Sequence, residues 1–584
     1  MTTERKSGGV IAAEVLAAHG IPAVFTLCGG HISPILVESE NRGIRIVDVR
    51  DEASAAFAAD AMSRLTGTPG VCAVTAGPGL TNTITAVKNA QMAQSPLVVL
   101  GGATGTILKG RGSLQDIDQM ALMEPHVKWM RSVERVADIA PALIEAIAES
   151  RRDVPGPVFV ELPVDLLYEE PLVRDMYGVG AEAKKPRGLG EWGLRQYLRW
   201  HLRRQFKGSD RVEIEALPGD AARVAEPGDV RQLARALVKA KRPVALIGSQ
   251  AVLDPDRLDA VVSAVDSLGI PFYLSGMARG LMGREHPRWM RHKRRMALKE
   301  ADTVLLAGVP ADFRLDYGRH VSRRATLLSV NLSPIDLTKN RKPNIGVLAD
   351  PGWVLERLGA AMQAPDGHWD DWIGQLRTRD EEREADIASR AEQVTDVGVN
   401  PLHLCREIDK VLDDDSVLVA DGGDFVATAS YILRPRGPLR WLDPGVFGTL
   451  GVGGGFALAA KLAQPSAEVW LLWGDGSAAY TLAEFDSYAR HGLPVIAVVG
   501  NDAGWTQIAR EQVEILGADT ACRLAHSDYH RVAEGYGGKG LKIERPEDIP
   551  GVLAEAKELA AAGSPVLINA IIGTTDFRKG SISM

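Results

Sequence analysis

Two acidic residues near the C-terminal end of this chain are spaced for metal chemistry. They lie in GDGSAAYTLAEFDSYARHGLPVIAVVGNDAGW, from Gly474 to Trp505. An apolar run, Glu468 to Trp473, precedes the Gly-Asp-Gly turn, and a second, Pro494 to Val499, ends in Asn501-Asp502. The amphipathic segment between them predicts strand–helix–strand, and a parallel crossover brings both strand ends to one edge of a sheet. Asp475 and Asp502 then converge on one cation. Paired carboxylates, a glycine-lined turn and a helix N-terminus suit Mg²⁺ bridged to a diphosphate, with hard oxygens for the metal and backbone N–H groups for the anion. Gly474 and Gly476 let the backbone approach closely, and Ser477 follows them.

A second constellation, RIVDVRDEASAAFAADAMSRLTGTPGVCAVTAGPGLTN, begins at Arg45. A short strand, Arg45 to Val49, leads to Glu52, which opens a helix of small residues. The next strand ends in the tight turn Gly77-Pro78-Gly79. A single carboxyl group at such a helix start is also what the helix dipole favours.

Together the two stretches resemble thiamine diphosphate (ThDP) enzymes of the acetolactate synthase-like superfamily. The resemblance spans nearly the whole chain. It implies an α/β protein of three doubly wound parallel-sheet domains: pyrimidine-binding, central and diphosphate-binding. It makes Asp475, Asp502 and the backbone carbonyl of Gly504 the metal ligands, although many relatives carry Asn where this chain has Asp502. Glu52, rather than the adjacent Asp51, takes the family position of the carboxyl group that bonds the aminopyrimidine ring and moves its proton. Gly77, Gly423, Asp424, Gly474, Gly476 and Ser477 would hold the cofactor. Leu450 stands where a bulky residue forces the cofactor into its bent conformer, and Gly448 would offer a carbonyl to the pyrimidine amino group. His31, in CGGHISP, falls where benzaldehyde lyase-like enzymes place a substrate-side His. Gln115, in GSLQDIDQ, matches a family Gln that bonds a substrate oxygen.

The stretches VGNDAGWTQIAREQ and TDFRKGSI resemble the 2-hydroxyacyl-CoA lyase branch of that superfamily. This implies cleavage of a 2-hydroxyacyl-CoA to formyl-CoA and an aldehyde or ketone. The alternative is an acetolactate synthase-type carboligase acting on pyruvate. A non-enzymatic regulator is disfavoured, because Glu52, Asp475 and Asp502 are all present. The family also implies a homodimer or homotetramer, with Glu52 of one chain and Asp475 of another at each active site. The central domain would have room for FAD or for the ADP part of a nucleotide-like ligand.

The organisation follows from runs of apolar residues. Residues 1–170 contain AVFTLC, RIVDV, VCAVTA, PLVVLGG and PVFVELP, separated by helical segments, with Ser7 as N-cap of the first helix. A linker, 171–228, carries the basic amphipathic segment EWGLRQYLRWHLRRQFKGSDR. Its aromatic side packs on the protein itself or a second subunit, or meets a membrane surface or nucleic acid. PVALIGSQAV, IPFYLSG, TVLLAGVPADF and ATLLSVNLS mark a Rossmann-like block over 229–365. Within it, HPRWMRHKRRMALKEAD concentrates Arg288, Arg294 and Arg295. These, with Arg578 and Lys579 of the tail, are candidates for the phosphates of a CoA substrate; a solvated helix start is the other reading of the cluster. A charged helical linker, 366–399, leads to 400–573, with VLVADGG, EVWLLWGDG, PVIAVVGND and PVLINAII. The tail, 574–584, is expected to act as a lid.

Composition excludes several classes. Of 584 residues, 45% are hydrophobic and 24% charged, as in ordinary globular proteins, and a net charge of −8 argues against general nucleic-acid affinity. The cysteines, Cys28, Cys72, Cys405 and Cys522, are scattered and form no zinc or disulfide pattern. That fits a reducing cytoplasm. The start MTTERKSGG lacks the apolar stretch of a secretory signal, and the next helix is interrupted by Glu14.

Overall fold

The computed structural model describes residues 5–181, 183, 185–215, 223–365 and 367–580. Its strands form three sheets, and every pairing in them is parallel. The first contains β1 (Ala23–Thr26), β2 (Arg45–Asp48), β3 (Gly70–Val74), β4 (Leu97–Ala103), β5 (Trp129–Ser132) and β6 (Pro157–Pro163), in the order β2-β1-β3-β4-β6-β5. The second contains β7 (Pro243–Ile247), β8 (Phe272–Leu274), β9 (Thr303–Ala307), β10 (Thr326–Asn331) and β11 (Ile345–Leu348), in the order β11-β10-β9-β7-β8. The third contains β12 (Val417–Ala420), β13 (Trp441–Leu442), β14 (Val469–Gly474), β15 (Ile496–Asn501), β16 (Lys539–Ile543) and β17 (Val566–Ile571). Its order, β13-β12-β14-β15-β17-β16, repeats that of the first sheet strand for strand. This is the expected doubly wound α/β class.

Helices on both faces explain why the inner strands read as unbroken apolar runs. All residues of β3, β4, β6, β14, β15 and β17 are buried. Two compact units result: Met1–Arg64 with Thr68–Asp220, holding the first sheet, and Leu65–Gly67 with Ala221–Met584, holding the other two. Ser7 caps the first helix, Gly8–Ala18, by accepting from Val10 N at 3.3 Å. The long helix Asp370–Ala391 is tied to the second sheet beside its first turn. The buried indoles of Trp369 and Trp372 donate to the carbonyls of Ala240 and Pro243 at 2.9 and 3.0 Å. The described part of the tail is docked rather than loose. Phe577 is buried, Asp576 pairs with Arg390 at 2.7 Å, and Arg578 lies over the Tyr431 ring at 5.3 Å. Residues 581–584, the end of the expected lid, lie outside the described residues.

One close approach sets the helix that carries Glu52. At Gly70, where β3 begins, a Cβ would sit 1.8 Å from the carbonyl oxygen of Ala59, inside the helix Glu52–Thr66. Gly70→Ala should therefore push that helix off the sheet and destabilise the protein by about 1–3 kcal/mol or more. Urea denaturation of the variant checks this; an unchanged midpoint would show that the contact is absent.

Candidate active site

The carboxylate half of the candidate site is built by neighbouring strands in register. Gly474 of β14 lies opposite Gly500 of β15, so the residues that follow each strand meet at the same edge. Asp475 opens the helix Asp475–Thr481 and is 2% exposed. Its Oδ1 accepts from Gly476 N at 2.7 Å and its Oδ2 from Gly504 N at 3.0 Å. Between the two strands' loops, Ala503 takes a left-handed conformation (φ 54°), with its N–H donating to Asn501 Oδ1. Burial pushes Asp475 up to about 6. Burial, with the charges of Asp475 and Asp424 behind it, pushes Asp502 up to about 7. Asp424 spends Oδ2 on Arg510 at 2.7 Å, while its buried Oδ1 has no hydrogen-bond partner. Crowded, desolvated carboxylates of this kind call for a cation. Among the described residues, no group of three or more His, Cys, Asp or Glu side chains forms a metal cage. The donor set therefore fits an ion shared between two carboxylates, a backbone carbonyl such as that of Gly504, and a ligand's own oxygens.

The glycine turns beside this pair leave no room for side chains. Gly422 O accepts from Gly474 N and from Ser477 Oγ, both at 3.0 Å. Gly423 has φ 108° and precedes the helix Asp424–Ile432. A Cβ on Gly474 would stand 2.9 Å from Gly422 O, and one on Gly476 would stand 2.5 Å from the ring of Trp505. Two helix N-termini thus begin at touching turns, an arrangement that suits a diphosphate. The Ser477 hydroxyl is spent on the carbonyls of Gly422 and Gly474, so its contribution to an anion is its backbone.

Leu450 is held by a residue that sequence reasoning missed. Its Cδ2 lies 2.1 Å from where a Gly422 Cβ would be, so it packs on the same turn. The loop around it starts at Gly448 in a left-handed conformation (φ 63°). Asp421, 4% exposed, accepts from Gly451 N at 3.0 Å, Gly453 N at 2.8 Å and the Trp473 indole at 3.1 Å. Burial raises its pKa to about 7 against the pull of these donors. Its place at the head of ADGG was the only signal available.

In the other unit, Glu52 is 7% exposed at the first position of its helix. Asn82 Nδ2 donates to its Oε2 at 2.9 Å, and a Cβ on Gly79 would lie 3.5 Å from its Oε1. The missing side chain at Gly79 therefore keeps space beside one carboxylate oxygen. His31 follows β1 and packs on Gly102, with Nδ1 3.0 Å from Thr75 Oγ1; burial lowers its pKa, so it is neutral near pH 7. Gln115 has φ 63°, and its backbone carbonyl lies against Gly77. The buried amide at this turn belongs to Gln119, four positions on. It accepts from Gly77 N at 3.0 Å and donates to Gly102 O and Glu161 Oε1, both at 3.1 Å. Asn82, Thr75 and Gln119 all lay within strings already singled out, but nothing in their spacing distinguished them.

The basic cluster is largely spent on neighbours. Arg288 pairs with Asp266, Arg291 with Glu384 at 2.5 Å, and Arg294 donates to Arg314 O at 3.0 Å. Arg295 and Lys579 are exposed. On the basic helix, Leu189–Gln205, the buried residues are Leu198, Leu202 and Gln205, whereas Trp192, Tyr197 and Trp200 are exposed in this chain.

Comparison with known proteins matches this layout. Residues 6–122 match the N-terminal TPP binding domain of thiamine pyrophosphate enzymes, 230–358 the central domain, and 421–570 the C-terminal TPP binding domain. The chain is 50% identical over 594 residues to 2-hydroxyacyl-CoA lyase 2 of Danio rerio, covering 100% of this chain and 94% of that one. It is 49% identical to the Homo sapiens protein of that name, covering 99% and 92%.

The chain belongs to the thiamine pyrophosphate enzymes, in their 2-hydroxyacyl-CoA lyase branch.

The acetolactate synthase large subunit of Mycobacterium tuberculosis is 32% identical over 96% of this chain and 95% of its own. As a thiamine pyrophosphate enzyme, the chain presents residues that fit the cofactor: the space beside Glu52 for a ring nitrogen, and the paired glycine turns for a diphosphate.

Asp475→Ala should abolish Mg²⁺-dependent ThDP binding, and Asp502→Ala should weaken it, because each removes one hard oxygen donor. Titration calorimetry showing unchanged ThDP affinity in both variants would dismiss the metal assignment. Asp421 generates a pH prediction. In the folded protein it gains its proton as pH falls through about 7, and a protonated carboxyl cannot accept all of its donors. Amide exchange at Gly451 and Gly453, corrected for intrinsic rate, should speed up as pH drops from 8 to 6. Asp421→Asn should show the fast rate at both pH values. Equal protection in variant and wild type would remove Asp421 as the anchor of the Leu450 loop.

Proposed function

We propose that this enzyme cleaves 2-hydroxyacyl-CoA to formyl-CoA and an aldehyde or ketone, and runs the reverse acyloin-type condensation. The observation that carries this reading is likeness at about half identity along the whole chain to 2-hydroxyacyl-CoA lyases, against about a third to acetolactate synthase. In the forward direction the bond between the thioester carbonyl carbon and the hydroxyl-bearing carbon breaks. The hydroxyl proton leaves as the new C=O forms, and the formyl carbon takes up a proton, so atoms and charge balance. ThDP, when bound, supplies the carbon nucleophile and electron sink for this cleavage. The rest falls to side chains. Glu52, with Oε2 held by Asn82, keeps Oε1 to exchange a proton with a ring nitrogen. His31 receives the substrate's hydroxyl proton at Nε2, which requires Nδ1–H to donate to Thr75 Oγ1. Leu450 supplies the apolar wedge, seated through Asp421.

Further assignments complete the reading. Mg²⁺ is the cation for Asp475 and Asp502. The domains divide at 1–170, 171–228, 229–365, 366–399, 400–573 and 574–584. A homodimer or homotetramer would supply Glu52 from one chain and Asp475 from another. The central block would hold the ADP part of CoA, or FAD. For CoA phosphates, the exposed Arg295 and Lys579 are preferred over the engaged Arg288, Arg294 and Arg578. A cytoplasmic setting suits the scattered thiols; among the described residues no helix is long and apolar enough to cross a membrane.

The deciding assay offers purified protein with ThDP and Mg²⁺ a 2-hydroxyacyl-CoA or pyruvate. Formyl-CoA should form from the first. Acetolactate from pyruvate with no thioester cleavage would establish the carboligase instead. Glu52→Gln should lower turnover by orders of magnitude. His31→Ala should slow single-turnover cleavage about 10²-fold or more with ThDP saturating; an unchanged rate would return His31 to a structural role.

A further inference from the structure

The carboxyl edge of the third sheet brings three carboxylates to the turns assigned to a diphosphate. Asp475 and Asp502 have a cation to share. Asp424 is left out of that arrangement, yet it opens the helix Asp424–Ile432 directly after Gly423. The turns touch there: a Cβ on Gly423 would stand 3.3 Å from Gly474 Cα. A carboxylate at a helix start suits the helix dipole. It also opposes any anion brought to the same end. The charge of Asp424 reaches across the edge, since it is one of the causes that raise Asp502. Three carboxylates and a diphosphate outweigh one divalent cation, and like charges repel more strongly where water is scarce.

Among the described residues, Arg510 is the cation bonded to Asp424. Its NH2 donates to Asp424 Oδ2 at 2.7 Å, and the two side chains are only 16% and 14% exposed. Arg510 lies on the helix Thr506–Leu516, which follows the loop of Asp502 and Gly504. None of the residues of that helix is fully buried, and Ile508, Val513, Ile515 and Leu516 are exposed. A helix so open to water would leave an arginine in solvent, where its charge is best hydrated. Here the guanidinium is held mostly out of water by the carboxylate. Its other nitrogen, NH1, donates to the carbonyl of Arg578 at 3.4 Å. That acceptor is neutral, so the formal charge of Arg510 is matched by Asp424.

We propose that Arg510 is a positioning residue for the cofactor's diphosphate. By neutralising Asp424 it turns a helix start that would repel the anion into one that receives it through backbone N–H groups. This role rests on the diphosphate site assigned above and is independent of which substrate is cleaved. An ion pair that only fastened the helix Thr506–Leu516 to the domain would behave differently. Loss of either partner would then do equal harm, and loss of both would repair nothing. If Arg510 acts by charge, removing the charge of Asp424 makes Arg510 dispensable.

Calorimetric titration of ThDP into the cofactor-stripped full-length protein, with Mg²⁺ saturating, tests this. Arg510→Met should weaken ThDP binding about tenfold or more. Asp424→Asn should bind ThDP at least as tightly as the wild type. The double variant, Asp424→Asn with Arg510→Met, should return to within about threefold of the wild type, a coupling that only a charge effect produces. Arg510→Lys keeps the charge and should lose less than Arg510→Met. If Arg510→Met alone does not fold, Asp424→Asn and the double variant decide by the same comparison with the wild type. Unchanged affinity in Arg510→Met, weakened affinity in Asp424→Asn, or a double variant weaker than the wild type by tenfold would each overturn the proposal. Asp475→Ala is the control. If it binds ThDP unchanged, the diphosphate site itself is misplaced and the role of Arg510 falls with it. If it loses ThDP while Arg510→Met does not, the role of Arg510 falls alone.

Discussion

Parallel strands deliver their carboxyl ends to one edge, and the turns there carry backbone N–H groups that no ladder can satisfy. In this protein buried carboxylates accept them. Asp475 ties the Gly476 turn to Gly504, Asp421 ties the Leu450 loop to Trp473, and Asp165 ties Thr106 to Gln205. Each places a carboxyl group in a dry site, and burial lifts the pKa of Asp475 to about 6 and that of Asp421 to about 7. The geometry of the catalytic edge is thus purchased with electrostatic strain. The divalent cation proposed for Asp475 and Asp502 would relieve it there; at Asp421 the donors are backbone and indole N–H groups.

The legible part of the fold was its interior. Runs such as VCAVTA, EVWLLW and PVLINAII are apolar because both of their faces are covered. The strands that could not be read are β5, β11, β13 and β16, and every one lies at a sheet edge. β5 is half-buried throughout, β16 begins with an exposed Lys539, and β13 is two residues long. An edge strand is defined by its neighbour's free hydrogen-bonding groups, which leave no trace in its own residues. The edges β2 and β8 were visible because Ile46-Val47 and Phe272-Tyr273-Leu274 retain apolar character.

The candidate site, whose roles are proposals, divides along similar lines. Asp475, Asp502 and Glu52 were legible because strand ends and glycine turns announce them. Asn82, Thr75, Gln119 and Asp421 were not, because each acts by holding another group, and such partnerships are made in space. The same reason explains the basic cluster. Read along the chain, Arg288 to Arg295 look unopposed. In the structure Arg288 meets Asp266, 22 residues back, Arg291 meets Glu384, 93 residues on, and Arg294 meets the Arg314 carbonyl, while Arg295 stays exposed.

The identical strand order of the first and third sheets also fixes the sequence in which each can be completed. β5 and β16 each pair only with the strand made after them, β6 and β17. As the chain leaves the ribosome, β1 and β12 open their sheets and every later strand finds an earlier one to join, except these two, which must wait in water. Their compositions, WMRS and KGLKI, carry cationic charge and no long apolar run, the character that resists mispairing during such a delay. What makes them hard to recognise as strands therefore also makes them safe as unfinished ones.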